Sequence, residues 1–324
     1  MNNLRRVAIT GTGSYLPERV VTNADLEKMV DTNDEWIVSR TGISERRICG
    51  ESMTTVDLAT QAAQRALSDA GVLAEDLDLI IVATVTPHNL FPSVACGVQE
   101  RIGARKAGAF DLGAACSGFI YALEVGKQFI ASGTYNKVLI IGAETLSKFT
   151  DWQDRNTCVL FGDGAGAIVL QPASSDQGGI LVSNLKADGS GGDLLKLEHG
   201  GFIQMNGNEV YRFAVKIMGE AVLEALEKAD LTTEDLEYLI PHQANIRIIQ
   251  AAAKRLNLAM EKVHVNVNKY GNTSAASVPI ALDEAVKLGK IKEGSIIALV
   301  GFGAGLTWAA SILRWEKKGG ETNA

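Results

Sequence analysis

The chain holds four cysteines (Cys49, Cys96, Cys116 and Cys158) and four histidines (His88, His199, His242 and His264). They lie far apart, with no CxxC pair and no histidine grouped with a cysteine. A disulfide framework or a zinc site is therefore not expected, and a reducing compartment fits. Cys116 differs from the others in its setting. Around it, in Phe110-Asp111-Leu112-Gly113-Ala114-Ala115-Cys116-Ser117-Gly118-Phe119-Ile120-Tyr121, a short apolar strand from Ala109 to Leu112 runs into small residues. A helical apolar pattern follows, from Ser117 to about Ile130. Cysteine at a helix N-terminus feels the partial positive charge of unsatisfied N–H groups, which favours thiolate. A tight strand-to-helix turn also exposes other nucleophiles at a sheet end. The competing reading is a small buried hydrophobe, and the turn alone leaves both open.

Partners for such a sulfur stand at two later strand ends. Tyr238-Leu239-Ile240 leads into Pro241-His242-Gln243-Ala244-Asn245, and an expected strand Val263–Val267 leads into Tyr270-Gly271-Asn272-Thr273-Ser274. Each loop delivers one hydrogen-bonding side chain, His242 or Asn272. Taken singly, the histidine fits a surface loop and the asparagine a turn; together with Cys116 they make a site. The loop Gly301-Phe302-Gly303-Ala304-Gly305 follows another apolar strand. Its N–H groups suit an oxyanion hole, or its glycines serve only a tight turn.

The elements that must position these residues alternate. Strand-like runs (Val7–Thr10, Leu79–Val85, Val138–Gly142, Ala167–Leu170, Ile180–Leu185, Ser295–Val300) are interleaved with helical patterns over Thr55–Ala70, Ser117–Ser132, Val210–Ala229, Asn245–Leu256 and Ser277–Leu288. That is an α/β chain with mostly parallel strands expected. It also repeats itself. Ala66-Leu67-x-x-Ala70 with Glu75-Asp76-Leu77 returns as Ala225-Leu226-x-x-Ala229 with Glu234-Asp235-Leu236, at an offset of 159. Ser117-x-x-Ile120-x-x-x-Glu124 returns as Ser277-x-x-Ile280-x-x-x-Glu284 at 160, and the strand ending at Gly142 matches the one ending at Gly301 at 159. We expect two homologous halves, 1–170 and 171–324, stacked as one unit with loops from both converging on the site.

Bulk properties exclude several classes. The 324 residues are 46% hydrophobic with net charge −7, which argues against a general nucleic-acid binder. No apolar run approaches the ~20 residues of a membrane span. No apolar stretch follows Arg5 and Arg6, so a secretory signal is not expected.

The four motifs, in order and with Gly11-Thr12-Gly13-Ser14-Tyr15-Leu16-Pro17 at the start, resemble the β-ketoacyl-acyl-carrier-protein synthase III family of the thiolase superfamily over essentially the whole chain. The resemblance implies two duplicated βαβαβ-type halves stacked as a five-layered αβαβα unit. It also implies an acyltransferase needing no cofactor or metal, with acyl-CoA as substrate. Cys116 would take the acyl group, and His242 and Asn272 would stabilise the enolate left when malonyl-carrier protein loses CO₂. The backbone N–H groups of Cys116 and Ala304 would form the oxyanion hole. Biosynthetic thiolases place a second cysteine in the C-terminal Gly-rich loop; Gly301–Gly305 has none, which favours decarboxylation over proton abstraction. A CoA-dependent polyketide-synthase-like condensing enzyme shares Cys, His and Asn and is the alternative, although such chains are usually longer.

Trp36 and Arg155 match the family's pair that sandwiches the adenine of CoA, and Thr32, Arg40 and Asn245 match further CoA contacts. Trp36 fits a core position on an amphipathic helix equally well. From Pro241 to Met260 there are three cations, Arg247, Lys254 and Arg255, and no acid. Gln243, Ala244, Asn245, Ile246 and Arg247 match the family's carrier-docking surface, which Arg212, Lys216, Lys254 and Arg255 would extend. Phe91 matches the residue that floors the acyl pocket of a partner in a homodimer, and Phe302 is assigned to the same pocket. A cytoplasmic enzyme with no membrane or nucleic-acid partner follows. Two readings from other classes are weaker. Papain-like peptidases carry a C-G-[SA]-C-[WY] signature that is absent here. A dinucleotide fingerprint at Gly11-Thr12-Gly13 is spoiled by Leu16-Pro17.

Overall fold

The computed structural model describes residues 4–316. Two sheets lie at its centre. The first runs, edge to edge, through Val7–Tyr15, Asp163–Pro172, Val138–Thr145, Leu79–Ala83 and Gly108–Leu112; the second through Gly179–Ala187, Thr307–Arg314, Ile296–Gly303 and Tyr238–Pro241. The strands Leu79–Ala83, Val138–Thr145, Ile296–Gly303 and Tyr238–Pro241 are buried along their whole length, as sheets covered on both sides require. Ile81 and Ile140 pack inward with Phe119, Ile120 and Leu123, whereas their neighbours Ile80, Val82 and Ile141 pack outward on Leu58, Ala62 and Ala66. In the second sheet Ile297 and Leu299 face the same inner core, and Ala298 and Val300 face Met218, Val222 and Ile249.

Helices Gly118–Ala131 and Ser277–Lys287 therefore fill the space between the sheets. Helices Thr55–Ala70 and Val94–Ile102 cover one outside, and Gly207–Lys228 and Ile246–Arg255 the other. This is the five-layered αβαβα arrangement. The segments that repeat in the sequence occupy corresponding layers: Thr55–Ala70 and Gly207–Lys228 outside, Gly118–Ala131 and Ser277–Lys287 between the sheets. The glycines near the start serve packing. A Cβ on Gly13 would lie 2.3 Å from Ala66 N, so the strand Val7–Tyr15 can seat against helix Thr55–Ala70 only without one. No dinucleotide loop is present there.

Two expectations fail. Parallel pairing does not dominate: Val7–Tyr15 and Val138–Thr145 each run antiparallel to Asp163–Pro172, and Thr307–Arg314 runs antiparallel to both its neighbours. The sequence reading lacked the strand Thr307–Arg314, which follows Ile296–Gly303 after a tight turn. Secondly, Val263–Val267 is not a strand. Val263 makes one bridge to Leu239, and then the Gln243 side chain replaces the ladder. Gln243 Oε1 accepts from Asn266 N at 2.9 Å and Val267 N at 3.1 Å, and its Nε2 donates to His264 O at 3.0 Å. Among the described residues, no helix is long and apolar enough to cross a membrane.

Candidate active site

Cys116 occupies a three-residue turn, Ala115–Ser117, between strand Gly108–Leu112 and helix Gly118–Ala131. Ala115 takes a left-handed conformation, φ 46°, at a cost on the order of 1–2 kcal/mol. The surroundings hold it there. Ser117 Oγ lies 2.8 Å from Ala114 O and from Thr307 Oγ1, and Thr307 Oγ1 donates to Ala304 O at 3.0 Å. A Cβ on Gly303 would lie 2.6 Å from Cys116 N, so that glycine is required by the close approach of its strand to the elbow. Gly301 and Gly303 thus belong to a strand, and only the turn beyond Gly303 is a loop.

The expected bias toward thiolate is overridden. Cys116 is only 8% exposed. Burial pushes its thiol up to about 12, against the opposing pull of the Ser274 hydroxyl; repulsion from Glu144 adds to the rise.

His242 follows strand Tyr238–Pro241 and is 1% exposed. Burial pushes its imidazole down to about 3, so it is neutral. Nδ1 lies 2.5 Å from Ser277 Oγ, which itself accepts from Gln243 N at 3.4 Å. Ser277 Oγ has no other acceptor among the described residues, so its proton goes to Nδ1, leaving Nε2 as the N–H. The Phe302 ring meets the imidazole edge-on at 5.5 Å. Asn272 is fixed by its backbone, with Asn272 N donating to Leu160 O at 2.8 Å and Gly162 N donating to Asn272 O at 3.0 Å. Its side-chain Oδ1 accepts from Ser274 N at 2.8 Å. The NH₂ is then the group it can offer.

Two cavities meet at Cys116. The smaller, about 100 Å³, is lined by Cys116, His242 and Asn272 together with Ala244, Asn245 and Phe302. The larger, about 300 Å³, carries Cys116, Ser274 and Ala304 on a wall of Leu146, Phe149, Phe161 and Ile203. A buried sulfur thus borders both a pocket with two neutral hydrogen-bonding side chains and a mostly apolar one. That suits a group held on sulfur on one side and a second reactant polarised on the other.

Comparison with known proteins agrees with this geometry. Two family models match, both described as 3-oxoacyl-[acyl-carrier-protein] synthase III: one over residues 110–189, and its C-terminal counterpart over 226–315. The chain is 59% identical to the β-ketoacyl-[acyl-carrier-protein] synthase III of Caldanaerobacter subterraneus subsp. tengcongensis, over 95% of this chain and 98% of that one. The enzyme of that name from Bacillus pumilus is 57% identical over 95% and 99%. The chain belongs to the β-ketoacyl-[acyl-carrier-protein] synthase III family. A solved structure of 3-oxoacyl-[acyl-carrier-protein] synthase III from Aquifex aeolicus VF5 superimposes with a TM-score of 0.93 at 54% identity, covering 95% of this chain and all of that one, so the fold is thiolase-like.

The synthase III residues matched by sequence divide in the structure. Phe302 sits beside His242 on the smaller cavity and does not line the larger apolar one, because its strand passes behind the imidazole. Gln243 is 1% exposed, with both ends of its amide spent on the clamp described above, so it cannot meet a docking protein. Ala244, Asn245 and Ile246 are half-buried, while Arg247, Lys254 and Arg255 are exposed on helix Ile246–Arg255. The exposed cations are not equivalent. Arg255 pairs with Glu220 at 2.9 Å and Arg212 with Glu209 at 2.6 Å, whereas Arg247 stacks on Tyr211 at 5.1 Å and has no acidic partner among the described residues. Asn245 caps the helix, accepting from Arg247 N at 2.8 Å and donating to Arg40 O at 2.8 Å, which commits both ends of its side chain.

Trp36 is half-buried on helix Asp34–Thr41, with the Arg155 guanidinium 4.8 Å and that of Arg40 5.4 Å from its ring centroid. A base between Trp36 and Arg155 needs about 7 Å, two van der Waals gaps of ~3.5 Å, so Arg155 must swing out first. Thr32 Oγ1 is buried with no hydrogen-bond partner. Phe91 is 85% exposed beside Leu90 at 77%, and Leu90 lines the larger cavity. Sequence reasoning missed Ser274, Ser277, Thr307 and the fully buried Glu144. Hydroxyls and one acid at strand and turn ends carry no pattern until the fold juxtaposes them.

Proposed function

We propose that this chain catalyses the decarboxylative condensation of a short acyl-CoA with malonyl-acyl-carrier protein, giving 3-oxoacyl-carrier protein, CoA and CO₂. This is the opening condensation of bacterial type II fatty acid synthesis. The observation that carries the reading is the convergence of Cys116, His242 and Asn272 on one small cavity. In the first stage Cys116 sulfur attacks the thioester carbonyl, and the N–H groups of Cys116 and Ala304 receive the oxyanion. The tetrahedral adduct collapses to acyl-Cys116, and the CoA thiolate leaves. In the second stage the C–C bond to the malonyl carboxylate breaks. CO₂ departs, and the electron pair forms an enolate whose oxygen accepts from His242 Nε2 and Asn272 Nδ2. Its carbon attacks acyl-Cys116 and expels the cysteine thiolate. A neutral imidazole suits this, because it donates without adding a charge that would hold the carboxylate back.

In this reading residues 1–170 supply the nucleophile and 171–324 the enolate-stabilising pair. Trp36, Arg40, Arg155 and the unpartnered Thr32 hydroxyl receive the CoA nucleotide, with Arg155 moving aside to admit the base. Asn245 serves there as the cap that fixes the cavity wall. Arg247 is the main docking cation for an acidic carrier protein, joined by the exposed Lys254 two turns along the same helix and the exposed Lys216 on helix Gly207–Lys228. The exposed Leu90 and Phe91 and the open edge strand Gly108–Leu112 support a homodimer in which Phe91 closes the partner's larger cavity. Four free cysteines fit a cytoplasmic setting. The polyketide-like alternative, with CoA carrying both substrates, is less favoured by relatives named for carrier-protein synthases. Incubation with acyl-CoA and intact-protein mass spectrometry tests the first stage. One acyl mass is gained by the wild type and none by Cys116→Ala; an acylated alanine variant removes Cys116 from the mechanism.

A further inference from the structure

The mechanism above leaves one fully buried acid unused. Glu144, next to last in strand Val138–Thr145, is 0% exposed. Among the described residues no cation pairs with it; neutral donors hold it. Thr86 Oγ1 donates to Oε2 at 2.6 Å, Thr84 Oγ1 at 3.2 Å and Val85 N at 3.1 Å, while Ser274 Oγ donates to Oε1 at 3.1 Å. An unpaired carboxylate costs several kcal/mol to bury, and here only neutral donors offset that cost. Ser274 has a second neighbour. It lines the larger cavity beside Cys116, and its hydroxyl pulls the thiol down against the rise that burial causes. One hydroxyl therefore shares a cavity with the nucleophile and binds an isolated carboxylate.

We propose that Glu144, through the Ser274 hydroxyl, receives the proton that Cys116 sheds when it attacks the acyl thioester. The S–H bond breaks with its electron pair left on sulfur. The proton passes to Ser274 Oγ as the Ser274 O–H proton passes to Glu144 Oε1. Serine is regenerated, Glu144 becomes the neutral acid, and one negative charge has moved from carboxylate to sulfur. The transfer also removes the repulsion that a Glu144 carboxylate exerts on the thiolate. When CoA leaves as a thiolate, the same proton can return along the path. Burial raises Glu144 to about 7, which makes it a far stronger proton acceptor than a solvated carboxylate. Other candidates are placed elsewhere. His242 is held neutral against Ser277, Asp163 on the adjacent strand is tied to Cys49 N and Ser147, and Asp111 caps the first turn of helix Val94–Ile102. Glu144 acts through Ser274 and is a positioning residue, without contact to the acyl group.

The inference rests on Cys116 as the acyl acceptor, so the test has one arm that needs no acyl-CoA. Alkylation of Cys116 by iodoacetamide and single-turnover acyl transfer are each followed by intact mass from pH 5.5 to 9.5 in wild type, Glu144→Gln and Ser274→Ala. In the wild type both rates rise through an ionisation near pH 7 and level off. Both variants lose that ionisation, react on the order of 100-fold more slowly at pH 7.5, and speed up only toward the thiol's own high range. A profile of unchanged shape in either folded variant, even if lowered uniformly, overturns the relay and leaves Glu144 structural. Should Glu144→Gln fail to fold, Ser274→Ala decides alone, because Thr84, Thr86 and Val85 still hold the carboxylate. A wild type that alkylates with this profile yet accepts no acyl group would sink the proposed function and spare the relay.

Discussion

The molecule contains the same elbow twice. Ala115–Ser117 and Ser274–Ala276 are three-residue turns that each lead into a helix buried between the sheets, and each opens on a left-handed residue, at φ 46° and 47°. The repeat offset of 159 sets Cys116 opposite Ala275. Each elbow is pressed by a glycine from the other half: a Cβ on Gly142 would lie 2.2 Å from Ala275 O, and one on Gly301 would lie 3.3 Å from Cys116 O. The frames match and the side chains do not. The first elbow presents sulfur to two cavities. The second has alanine where the first has cysteine, and it supports the site instead: Ser274 N orients Asn272, Ser274 Oγ binds Glu144, and Ser277 orients His242. Duplication supplied two equivalent positions, and the chemistry was divided between them.

The sharpest way to break that division is to make the first elbow copy the second. Cys116→Ala should abolish acyl transfer, by ~10⁴-fold or more. Release of CO₂ from malonyl-carrier protein, the task proposed for the second half, should survive within a few-fold. Parallel loss of both activities would show that the halves are not separable. The mirror experiment is His242→Ala, which should lower condensation by ~10²–10³-fold while Cys116 still takes up the acyl group. The same residue has a stability signature. Burial moves His242 from 6.5 down to about 3, so between those values the unfolded chain binds a proton that the folded chain refuses. Its contribution to stability therefore falls as pH drops below about 6.5. His242→Gln should flatten the acid limb of a denaturant-midpoint series between pH 7 and 5.

Much of this comparison was legible in the sequence, and the illegible part has a common cause. Strand, small residues, cysteine and apolar-periodic helix announce the first elbow. The offset of 159 aligns the two halves because the spacing of buried residues is locked to the layers they fill. What could not be read were contacts made by one side chain across distant segments. Gln243 looks like part of an exposed basic surface, yet its amide substitutes for a strand ladder at residues 264–267. Glu144 stands near the end of an apolar strand, and the groups that hold it come from two distant segments, Thr84 with Thr86 and then Ser274. The turn at Cys116 foretold a thiolate because helix charge is local and visible, whereas the burial that opposes it is a property of the packed whole.

The matched glycines give a finer test. Gly303→Ala and Gly142→Ala both force a methyl against an elbow and should each cost ~1–3 kcal/mol by overpacking. Their catalytic consequences should part. Gly303→Ala moves Cys116 N, the proposed oxyanion donor, and should slow acyl transfer at least ~10-fold. Gly142→Ala moves Ala275 and should fall mainly on condensation, through Ser274 and Asn272. Equal loss in both stages for both variants would mean that the elbows are mechanically coupled.

The smallest expected effect concerns the outer helices that follow equivalent strands. Val94–Ile102 follows Leu79–Ala83 and its Arg101 is paired with Asp57 at 2.5 Å; Ile246–Arg255 follows Tyr238–Pro241, and its Arg247 stacks on Tyr211 with no acidic partner among the described residues. If only the second half docks the acidic carrier, Arg247→Glu should raise the KM for malonyl-carrier protein about fivefold, the effect of ~1 kcal/mol at an exposed rim, and leave acyl transfer from CoA unchanged. Arg212→Ala and Arg255→Ala should change it less than about twofold, because Glu209 and Glu220 already balance those charges. Titrating salt sharpens the result. The Arg247→Glu penalty should shrink as ionic strength rises and the Debye length falls from about 10 Å toward 3 Å, whereas a penalty constant with salt would assign Arg247 a packing role on Tyr211.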